Sequence, residues 1–529
     1  MPTITIDNIT VSAKEGMTIL DAAHTAGIDI PNLCHIPGRP AKPSCLLCVV
    51  KVKGYNRLLP SCGALVADGM VVENNSPEVM AARRTTIEML LGDHLGDCLG
   101  PCSEICPAHL NTPKMMRQIA EGQFCDAIVT VKESIAIPAI LGRICPELCE
   151  KGCRRTHRGG PVSVCMLKRF VADLDLASAS PYLPKCAPDT GKRVAIVGGG
   201  PAGLSAAYYL RQYGHQCEIY DARPRLGGML RYGVSEEALP RDILDKEIDN
   251  ILRLGITYKC NTRVGGDISL DELRDDYDAV LLTTGDAKTS PPDPSIPIGP
   301  RGVDADRSTY RVCMDETSKS PVWAAGAALQ TLRHAIRASA DGHNSAKSIH
   351  YSLTTEDGAE TPAPSHREFS VHMGHYASEN PLENIPSDAL DSRAIPSMGR
   401  DNGYTEEEAV REAKRCLSCD CAGAASCRLR GWAQKCGANP NRFKGLPRQV
   451  RLDTSHPEVI FDSGKCIACG VCIRIAKSQN GNGISLVGRG FDIEIGSLYN
   501  RPISETLKDV ARSCAIACPT GALTIRNSK

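Results

Sequence analysis

Cysteines are the residues of this sequence best suited to chemistry, and most of its 26 cysteines fall into a few tight groups. Thiolates bind iron and zinc, and sets of four hold iron–sulfur clusters or structural zinc. The chain begins without the apolar segment of a secretory signal, so we expect a cytoplasmic protein rather than a disulfide framework. The spacings described below favour iron–sulfur clusters over zinc.

The charge pattern argues against two classes of partner. Basic and acidic residues balance at 61 each, which gives no electrostatic basis for binding nucleic acid or an anionic membrane. No apolar run reaches the ~18 residues that a membrane-spanning helix needs. We therefore expect neither a nucleic-acid partner nor a membrane span.

The first cysteine group follows a predicted strand over residues 3–11, a turn at 14–16 and a helical segment, TILDAAHTAG. Its loop contains Gly38 and Pro43, which suit a chain that wraps a small inorganic cluster. Four thiolates at this spacing predict a [2Fe–2S] site, and structural zinc is the alternative. The predicted ligands are Cys34, Cys45, Cys48 and Cys62.

Two further groups lie towards the C-terminus. Four thiolates within a short run predict a compact [4Fe–4S] site. They are Cys416, Cys419, Cys421 and Cys427, and Cys436 is a spare candidate. The last group resembles a bacterial two-cluster ferredoxin, in which the fourth cysteine of each motif ligates the other cluster. One cluster keeps a full set, namely Cys466, Cys469, Cys472 and Cys518. The other has lost its ligands at Ala476, Lys508 and Ala511, which leaves Cys514 as a relic.

A glycine motif opens the central part of the chain. The segment RVAIVGGGPAGLSAAYYL predicts a strand, a tight turn and a helix, with Gly198, Gly200 and Gly203 in G-x-G-x-x-G spacing. These glycines let a pyrophosphate approach the helix N-terminus, and Asp221 ends the second strand, where a carboxylate binds a ribose hydroxyl. A dinucleotide site is predicted, and its further cofactor-binding residues are Gly227, Gly228, Gly285 and Gly326.

Two family resemblances cover most of the chain. The head, through RRTTIEMLLGDHLGDC, resembles the large iron–sulfur subunit of respiratory complex I and of multimeric hydrogenases. From Cys106 on, PKMMRQIAEGQFCDAI and GRICPELCEKGC resemble the N-terminal domain of the glutamate synthase small subunit. That domain recurs in dihydropyrimidine dehydrogenase and in the large subunit of the bifurcating transhydrogenase. The segment RPRLGGMLRYG resembles the flavin-binding half of the glutamate synthase small subunit, which implies FAD rather than NAD.

The second resemblance implies two interleaved [4Fe–4S] clusters between residues 94 and 165. The first set, with a histidine in place of a missing leading cysteine, is His94, Cys98, Cys102 and Cys153. The second set is Cys106, Cys145, Cys149 and Cys165. Cys165 replaces the Glu or Gln of the family, whose position is held here by Lys168. The alternatives are an ordinary histidine at position 94 and a buried core thiol at position 165.

The flavin domain departs from its relatives in two ways. After Gly285, relatives insert a second Rossmann domain for NADPH, but about 35 residues separate that point from the closing segment VWAAGAALQ here. A nucleotide-binding domain does not fit in that length, so we predict that it is absent. Relatives also carry Gly-Asp where this chain has Gly326 and Ala327, so one flavin contact is lost. The alternative is a vestigial flavin site.

The predicted fold class is α/β and multidomain. The predicted order is a β-grasp ferredoxin head (1–80), a helical domain with two [4Fe–4S] clusters (81–185), a Rossmann-like FAD domain lacking the NADPH-binding insertion (186–350), a linker (351–400), a [4Fe–4S] cysteine segment (401–450) and a bacterial ferredoxin-like domain (451–529).

The expected cofactors are one [2Fe–2S] cluster, four [4Fe–4S] clusters and FAD. The resemblances imply an electron-transfer subunit of an electron-bifurcating oxidoreductase that couples NAD(H) and ferredoxin to a hydrogenase or formate dehydrogenase. The implied partners are complex I-like NADH/FMN subunits, the hydrogenase or formate dehydrogenase catalytic subunits, and ferredoxin. The alternatives are a self-sufficient NAD(P)H-dependent reductase of the glutamate synthase type and an assembly scaffold with a vestigial flavin site.

Overall fold

The structure, a computed structural model, describes residues 1–92, 94–95, 97–157, 159–287, 293–314, 319–332, 334–355, 392–397, 399, 402–424, 426–443, 451–479, 483–490, 493–497, 499 and 501–525. They form two compact units. The first contains the described residues of 1–99 and 420–525, and the second contains those of 100–355 and 392–419. Among the helices in these ranges, none combines the length and the apolar character needed to cross a membrane.

The N-terminal part of the first unit is a mixed five-stranded sheet with a helix against it. Its elements are β1 (Thr3–Ile6), β2 (Ile9–Ser12), α1 (Ile19–Thr25), β3 (Val49–Val52), β4 (Leu59–Pro60), β5 (Val71–Glu73) and α2 (Pro77–Gly92). The strand order is β2-β1-β5-β3-β4, with β1 and β5 parallel and the other neighbours antiparallel. Ile4 and Ile6, alternate residues of β1, are buried in one core with Ile19 and Leu20 of α1.

The single strand predicted over residues 3–11 is wrong, because this segment is a hairpin. Asp7 and Asn8 connect β1 to β2 with φ angles of 46° and 69°. Asp and Asn tolerate this left-handed conformation better than other non-glycine residues, and it forms the tight turn of a two-residue hairpin. The predicted helix follows as α1.

The first part of the second unit is helical. Its elements are α3 (Pro101–Ile105), α4 (Thr112–Ala120), α5 (Phe124–Lys132), α6 (Pro138–Ile144), α7 (Leu148–Lys151), a 3-10 turn (Arg154–His157) and α8 (Val164–Ala177). Helices α3, α4 and α6 each have proline in one of their first two positions, where its missing N–H removes no helical hydrogen bond. Met115, Ile140 and Leu167, from α4, α6 and α8, are fully buried in a common core. The short helices α3 and α7, which carry predicted ligands, pack against each other.

The second part of the second unit is a parallel α/β fold. Its elements are β6 (Arg193–Val197), α9 (Pro201–Gln212), β7 (Gln216–Tyr220), α10 (Met229–Tyr232), α11 (Arg241–Leu252), β8 (Thr257–Lys259), α12 (Leu270–Asp276), β9 (Ala279–Leu282), β10 (Val322–Ala324), a 3-10 turn (Gly326–Ala328) and α13 (Ala335–Thr354). A further helix, α14 (Glu406–Lys414), packs against α4 and α8 of the helical part. The sheet order is β10-β9-β6-β7-β8, and each neighbouring pair is parallel. Between β9 and β10 the described residues form no helix and only isolated bridges. The absence of a second Rossmann domain stays a prediction.

The C-terminal part of the first unit contains small sheets and short helices. Its elements are α15 (Arg428–Lys435), β11 (Leu452–Asp453), β12 (Val459–Asp462), a 3-10 turn (Ser463–Lys465), α16 (Val471–Ser478), β13 (Ile484–Val487), β14 (Glu494–Ser497), α17 (Ile503–Thr506), a 3-10 turn (Lys508–Val510), α18 (Ala511–Ala517) and β15 (Leu523–Ile525). Strands β11, β12 and β15 form an antiparallel sheet, β13 and β14 form a hairpin, and α16 packs against α18. Most of the predicted linker over 351–400 lies outside the described residues.

Candidate iron–sulfur and nucleotide sites

The four cysteines predicted to bind a [2Fe–2S] cluster lie together in the head. They are at most 5% exposed: Cys34, Cys45, Cys48 and Cys62. Hydrogen bonds between the sulfurs lower the pKa of Cys34 and raise those of Cys45 and Cys62, so these thiols are in contact. A hydrogen bond with Cys62 lowers the pKa of Cys48 to about 7. Leu46, with a φ angle of 50°, turns the loop between two of the ligands. Four converging sulfurs suit a small cluster.

The four cysteines of the ferredoxin-like motif line one cavity in the first unit: Cys466, Cys469, Cys472 and Cys518. Apolar side chains, among them Phe461 and Ile495, form much of the remaining wall. Ala468 has a φ angle of 51°, and its N–H donates to the Cys466 sulfur (3.4 Å). N–H···S bonds and an apolar surround are the features that tune a thiolate-bound cluster, so the cavity suits one.

Apolar packing occupies the region where the second ferredoxin cluster would need its ligands. Ala476 and Ala511 are buried in the core between α16 and α18. Cys514 lies in the same core, and its S–H donates to the Cys472 carbonyl (3.5 Å). These contacts support the interpretation of Cys514 as a structural thiol.

A cavity in the second unit brings together four cysteines from three distant segments: Cys102 of α3, Cys153 after α7, and Cys416 and Cys419 after α14. Burial raises the pKa of Cys102 well above its usual value, and the nearby thiols of Cys416 and Cys419 add to the effect. The sequence-based prediction groups Cys98 with Cys102 and Cys153, and Cys416 and Cys419 with Cys421 and Cys427. In the structure, Cys416 and Cys419 line the same cavity as Cys102 and Cys153, and Cys98 is not among the residues that line it.

The other half of the predicted four-cysteine run lies with Cys98 in the first unit. The Cys421 N–H donates to the Cys98 carbonyl (3.1 Å). Burial raises the pKa of Cys427 to about 12, and the thiols of Cys421 and Cys98 contribute to this increase. His94, four residues before Cys98, is 5% exposed. The run from Cys416 to Cys427 therefore has one pair of cysteines beside Cys102 and Cys153 and another pair beside Cys98.

The remaining four predicted ligands surround a buried lysine in the second unit: Cys106, Cys145, Cys149 and Cys165. A hydrogen bond between two of these thiols lowers the pKa of Cys145 to about 6 and raises that of Cys165. Lys168 is 3% exposed, and its ammonium lies 3.7 Å from the Cys165 sulfur. Burial lowers the pKa of Lys168, but the surrounding thiolates outweigh burial and raise it. Lys168 is thus a fixed positive charge beside the site.

Glu150 holds the start of α8 beside this site. Its carboxylate, 4% exposed, accepts the Cys165 N–H (2.9 Å) and an N–H of the Arg393 guanidinium (2.7 Å). Burial raises the pKa of Glu150 to about 7. Glu147, Glu150 and Cys165 place their ligand atoms within 4.8 Å of one another. The bond from Glu150 to the Cys165 N–H fixes the backbone at Cys165.

Replacing Lys168 with methionine removes the charge beside Cys165 and keeps an unbranched side chain. A cation favours the more negative, reduced state of a cluster, so the reduction potential of this cluster should fall by on the order of 100 mV. A redox titration followed by EPR measures the shift. Lys168→Arg keeps the charge and should change the potential far less; equal potentials in the wild type and Lys168→Met would contradict the prediction.

The glycine motif lies between β6 and α9, at the carboxyl end of the sheet. Gly198 has a φ angle of 109°, and a Cβ there would lie 2.5 Å from the Thr283 carbonyl oxygen. A Cβ at Gly203 would lie 2.0 Å from the Gly198 carbonyl oxygen. The Asp221 carboxylate, directly after β7, accepts the Gly199 N–H (2.7 Å). The turn and the carboxylate therefore occupy the places that a dinucleotide site requires.

A second glycine pair packs against this turn. A Cβ at Gly228 would lie 2.8 Å from the Gly200 Cα, and the Gly227 N–H donates to the Gly199 carbonyl (2.8 Å). The nearest atom to a Cβ at Gly200 is 3.9 Å away, so the lack of a side chain leaves open space there. These glycines, Gly199, Gly200, Gly227 and Gly228, form a cradle that fits the pyrophosphate of a dinucleotide at the N-terminus of α9.

Two glycines at the edge of the sheet differ in their surroundings. Gly285 has a φ angle of 91°, and no atom of the described residues comes within 4 Å of where its Cβ would stand, which leaves room for a cofactor. A Cβ at Gly326 would lie 2.8 Å from the Cβ of Ala202 in α9, so packing alone accounts for this glycine. Ala327 supplies no carboxylate for a flavin. The cofactor contact at Gly326 stays a prediction.

Two positioning residues belong to no motif of the sequence. A Cβ at Gly521 would lie 2.3 Å from the Cys421 sulfur, so glycine makes room for that ligand. In the sequence, only the position of Gly521, three residues after Cys518, points to this role. The buried carboxylate of Glu247 in α11 accepts the N–H groups of Ala139 and Ile140 (2.8 Å each) at the start of α6. Its partners lie 108 and 107 residues earlier, so no local pattern marks it.

Three known domain families match parts of the chain. The 2Fe-2S iron-sulfur cluster binding domain matches residues 1–77, and domain II of dihydropyrimidine dehydrogenase, a 4Fe-4S cluster domain, matches residues 96–179. An NAD(P)-binding Rossmann-like domain matches residues 196–252. The chain thus contains a [2Fe–2S] domain, a [4Fe–4S] domain and a Rossmann-like domain, in the predicted order.

Curated relatives match about a third of the chain. The beta subunit of NADP(+)-dependent formate dehydrogenase from Moorella thermoacetica is 40% identical over 206 residues, 35% of this chain and 29% of the relative. The beta subunit of NADPH-Fe(3+) oxidoreductase from Geobacter sulfurreducens is 40% identical over 195 residues, 36% of this chain and 29% of the relative. The NAD-dependent dihydropyrimidine dehydrogenase subunit PreT of Salmonella typhimurium is 40% identical over 187 residues, 35% of this chain and 45% of the relative.

A solved structure, the NAD+-reducing [NiFe]-hydrogenase in the H2-reduced state, aligns with 100% of this chain and 88% of its own at 13% identity and a TM-score of 0.35. A TM-score below 0.5 does not establish a shared fold. The chain spans less than half the length of the three curated relatives, which are all subunits of oxidoreductases. At this level, the chain combines iron–sulfur domains with a Rossmann-like domain of nucleotide-binding type.

Proposed function

We propose that this chain is the electron-transfer subunit of a multi-subunit, electron-bifurcating oxidoreductase that couples NAD(H) and ferredoxin to a hydrogenase or formate dehydrogenase. Its cofactors are one [2Fe–2S] cluster, four [4Fe–4S] clusters and FAD. Clusters carry single electrons, and FAD exchanges one or two, which is the chemistry of a relay. The residues of the chain bind these groups within each of its two units.

The observation that carries this proposal is direct contact between ligand loops in the first unit. The Ser44 hydroxyl donates to the Cys469 carbonyl (3.5 Å), and the Arg474 guanidinium donates to the Cys34 carbonyl. These contacts join the [2Fe–2S] loop to the ferredoxin-like motif. Gly521, three residues after the ferredoxin ligand Cys518, lies against the Cys421 sulfur. Ligand sets that touch in this way suit direct electron transfer.

The two sites of the second unit are also adjacent. Helix α3 carries Cys102 and is followed by Cys106, and α7 carries Cys149 and is followed by Cys153. Each of these two packed helices therefore contributes one cysteine to each site. The Cys149 thiol is close enough to Cys102 to affect its pKa. This contiguity, with the dinucleotide cradle in the same unit, supports a relay that includes the flavin.

The partner assignment draws on the relatives. The Moorella thermoacetica protein is named as a subunit of a formate dehydrogenase. The [2Fe–2S] head resembles complex I subunits, which supports a complex I-like NADH/FMN partner, and the ferredoxin-like part supports exchange with ferredoxin. We assign the hydrogenase or formate dehydrogenase catalytic subunit as the terminal partner.

The purified chain should contain about 18 iron atoms, and reduced ferredoxin should reduce its [2Fe–2S] cluster, measured as an EPR signal after rapid freezing. In a Cys34→Ala control, the [4Fe–4S] signals should still develop without the [2Fe–2S] signal. A [2Fe–2S] cluster that stays oxidised while the others are reduced would contradict the relay, and about 22 iron atoms would indicate a fifth [4Fe–4S] cluster.

Two further measurements separate the alternatives. The chain alone should not oxidise NADPH with a dye as acceptor; rapid turnover would favour a self-sufficient reductase. Extraction should release one FAD per chain. A chain with all clusters and no flavin would favour a scaffold with a vestigial flavin site.

A further inference from the structure

The cysteine run from Cys416 to Cys427 is divided by the boundary between the two units, which falls after Cys419. We propose that this run completes two [4Fe–4S] sites, with one pair of its cysteines in each. The first set is Cys102, Cys153, Cys416 and Cys419. The second set is His94, Cys98, Cys421 and Cys427. The inference rests on the proposed clusters, but it concerns which thiolates share a cluster.

The segment that carries Cys416 is fixed beside the helical part of the second unit. Buried Arg155 donates to the Arg415 carbonyl (3.0 Å). The Arg415 guanidinium, 3% exposed, donates to the carbonyls of Gly160 (2.8 Å) and Pro161 (3.3 Å). These bonds hold Cys416 and its neighbours against the residues that follow α7. The ligand pair thus reaches a cavity whose other two thiolates lie far earlier in the chain.

The turn between Cys416 and Cys419 has the local geometry of a cluster-binding turn. Ser418 has a φ angle of 47°, and its N–H donates to the Cys416 sulfur (3.5 Å). In the ferredoxin-like motif, Ala468 occupies the same place between two cysteines, with a φ angle of 51° and an N–H···S bond of 3.4 Å. Both turns aim backbone N–H groups at a sulfur, which stabilises a thiolate that binds metal. The first set therefore has four thiolates and a preformed ligand turn.

The second set is assembled within the first unit. Cys421 is held to Cys98 by a backbone hydrogen bond (3.1 Å), and the Cys427 sulfur accepts the Arg430 N–H (3.4 Å) at the start of α15. The segment with His94 is anchored by the Leu95 N–H, which donates to the Gly464 carbonyl (2.6 Å). A neutral imidazole is a suitable fourth ligand for three thiolates.

EPR of the reduced full-length protein tests this partition. Cys419→Ala and Cys102→Ala should lose the same [4Fe–4S] signal, whereas Cys421→Ala and Cys98→Ala should lose a different one. Each variant should lose about four iron atoms. Loss of one common signal in Cys419→Ala and Cys421→Ala would overturn the partition and restore a single site in the run.

Two additions keep the test decisive. Cys436→Ala removes a buried thiol of the first unit that belongs to neither set, and it should keep every signal. If an alanine variant loses all clusters, serine variants, which keep a ligand atom, should shift the same two signals in the same pairs. If the wild type contains about 18 iron atoms but the variants lose signals in other pairs, the partition alone is refuted. Zinc in place of iron would refute the proposed function.

Discussion

Alanine at position 165 is expected to remove one [4Fe–4S] cluster, about four iron atoms per chain, and to leave the [2Fe–2S] EPR signal unchanged. The Cys165 thiol hydrogen-bonds with that of Cys145, and its sulfur lies 3.7 Å from the Lys168 ammonium. Without this thiolate, three cysteines and a buried lysine remain, and an ammonium cannot ligate iron. Iron analysis and EPR measure the loss.

Cys217→Ala is the matched control. Cys217 is 4% exposed in β7 of the same unit, and burial raises the pKa of its thiol to about 12, as for an ordinary core cysteine. Both substitutions leave a small cavity that costs about 1 to 2 kcal/mol of unfolding free energy. The control should keep all its iron. If Cys165→Ala behaves like the control, Cys165 is a core thiol.

Alanine at Gly203 is expected to destabilise the second unit by about 3 kcal/mol or more and to abolish flavin binding. The new Cβ would lie 2.0 Å from the Gly198 carbonyl oxygen and 2.8 Å from the Thr283 hydroxyl. The first of these atoms belongs to a half-buried backbone turn that cannot move aside without disturbing the approach of α9 to β6. Thermal unfolding and the amount of FAD released on denaturation measure the two effects.

Gly200→Ala separates the effect on cofactor binding from the effect on stability. Its nearest contact would be 3.9 Å, to the Gly228 Cα, so the unfolding temperature should stay near that of the wild type. The added methyl group would nevertheless stand where the pyrophosphate approaches, so FAD content should fall. Normal FAD content in Gly200→Ala would place the cofactor elsewhere, and a stable Gly203→Ala would show that the turn can rearrange.

Cysteines that share one turn and the helix after it could be brought together from their spacing alone. The ferredoxin-like set follows this rule for three of its four cysteines, since Cys466, Cys469 and Cys472 lie on one turn and the helix it leads into. The glycine motif is equally local, because a strand, a turn and a helix of fixed length bring Gly198 and Gly203 together. The hairpin at Asp7 and Asn8 differs from the single strand that the alternation on either side predicts. The alternation shifts by one residue between Ile6 and Ile9, and Asp and Asn favour the left-handed turn that the φ angles show.

By itself, the sequence determined which residue types are available for binding and which short motifs arrange them, because such motifs depend on backbone geometry over a few residues. The tertiary structure placed Cys416 and Cys419 in one cavity with Cys102 and Cys153, and it placed the charge of Lys168 beside Cys165. These features depend on segments far apart along the chain that meet only when the core is packed. The spacing within a motif does not specify which distant thiolate completes a set of four, so the grouping of ligands depends on the tertiary structure.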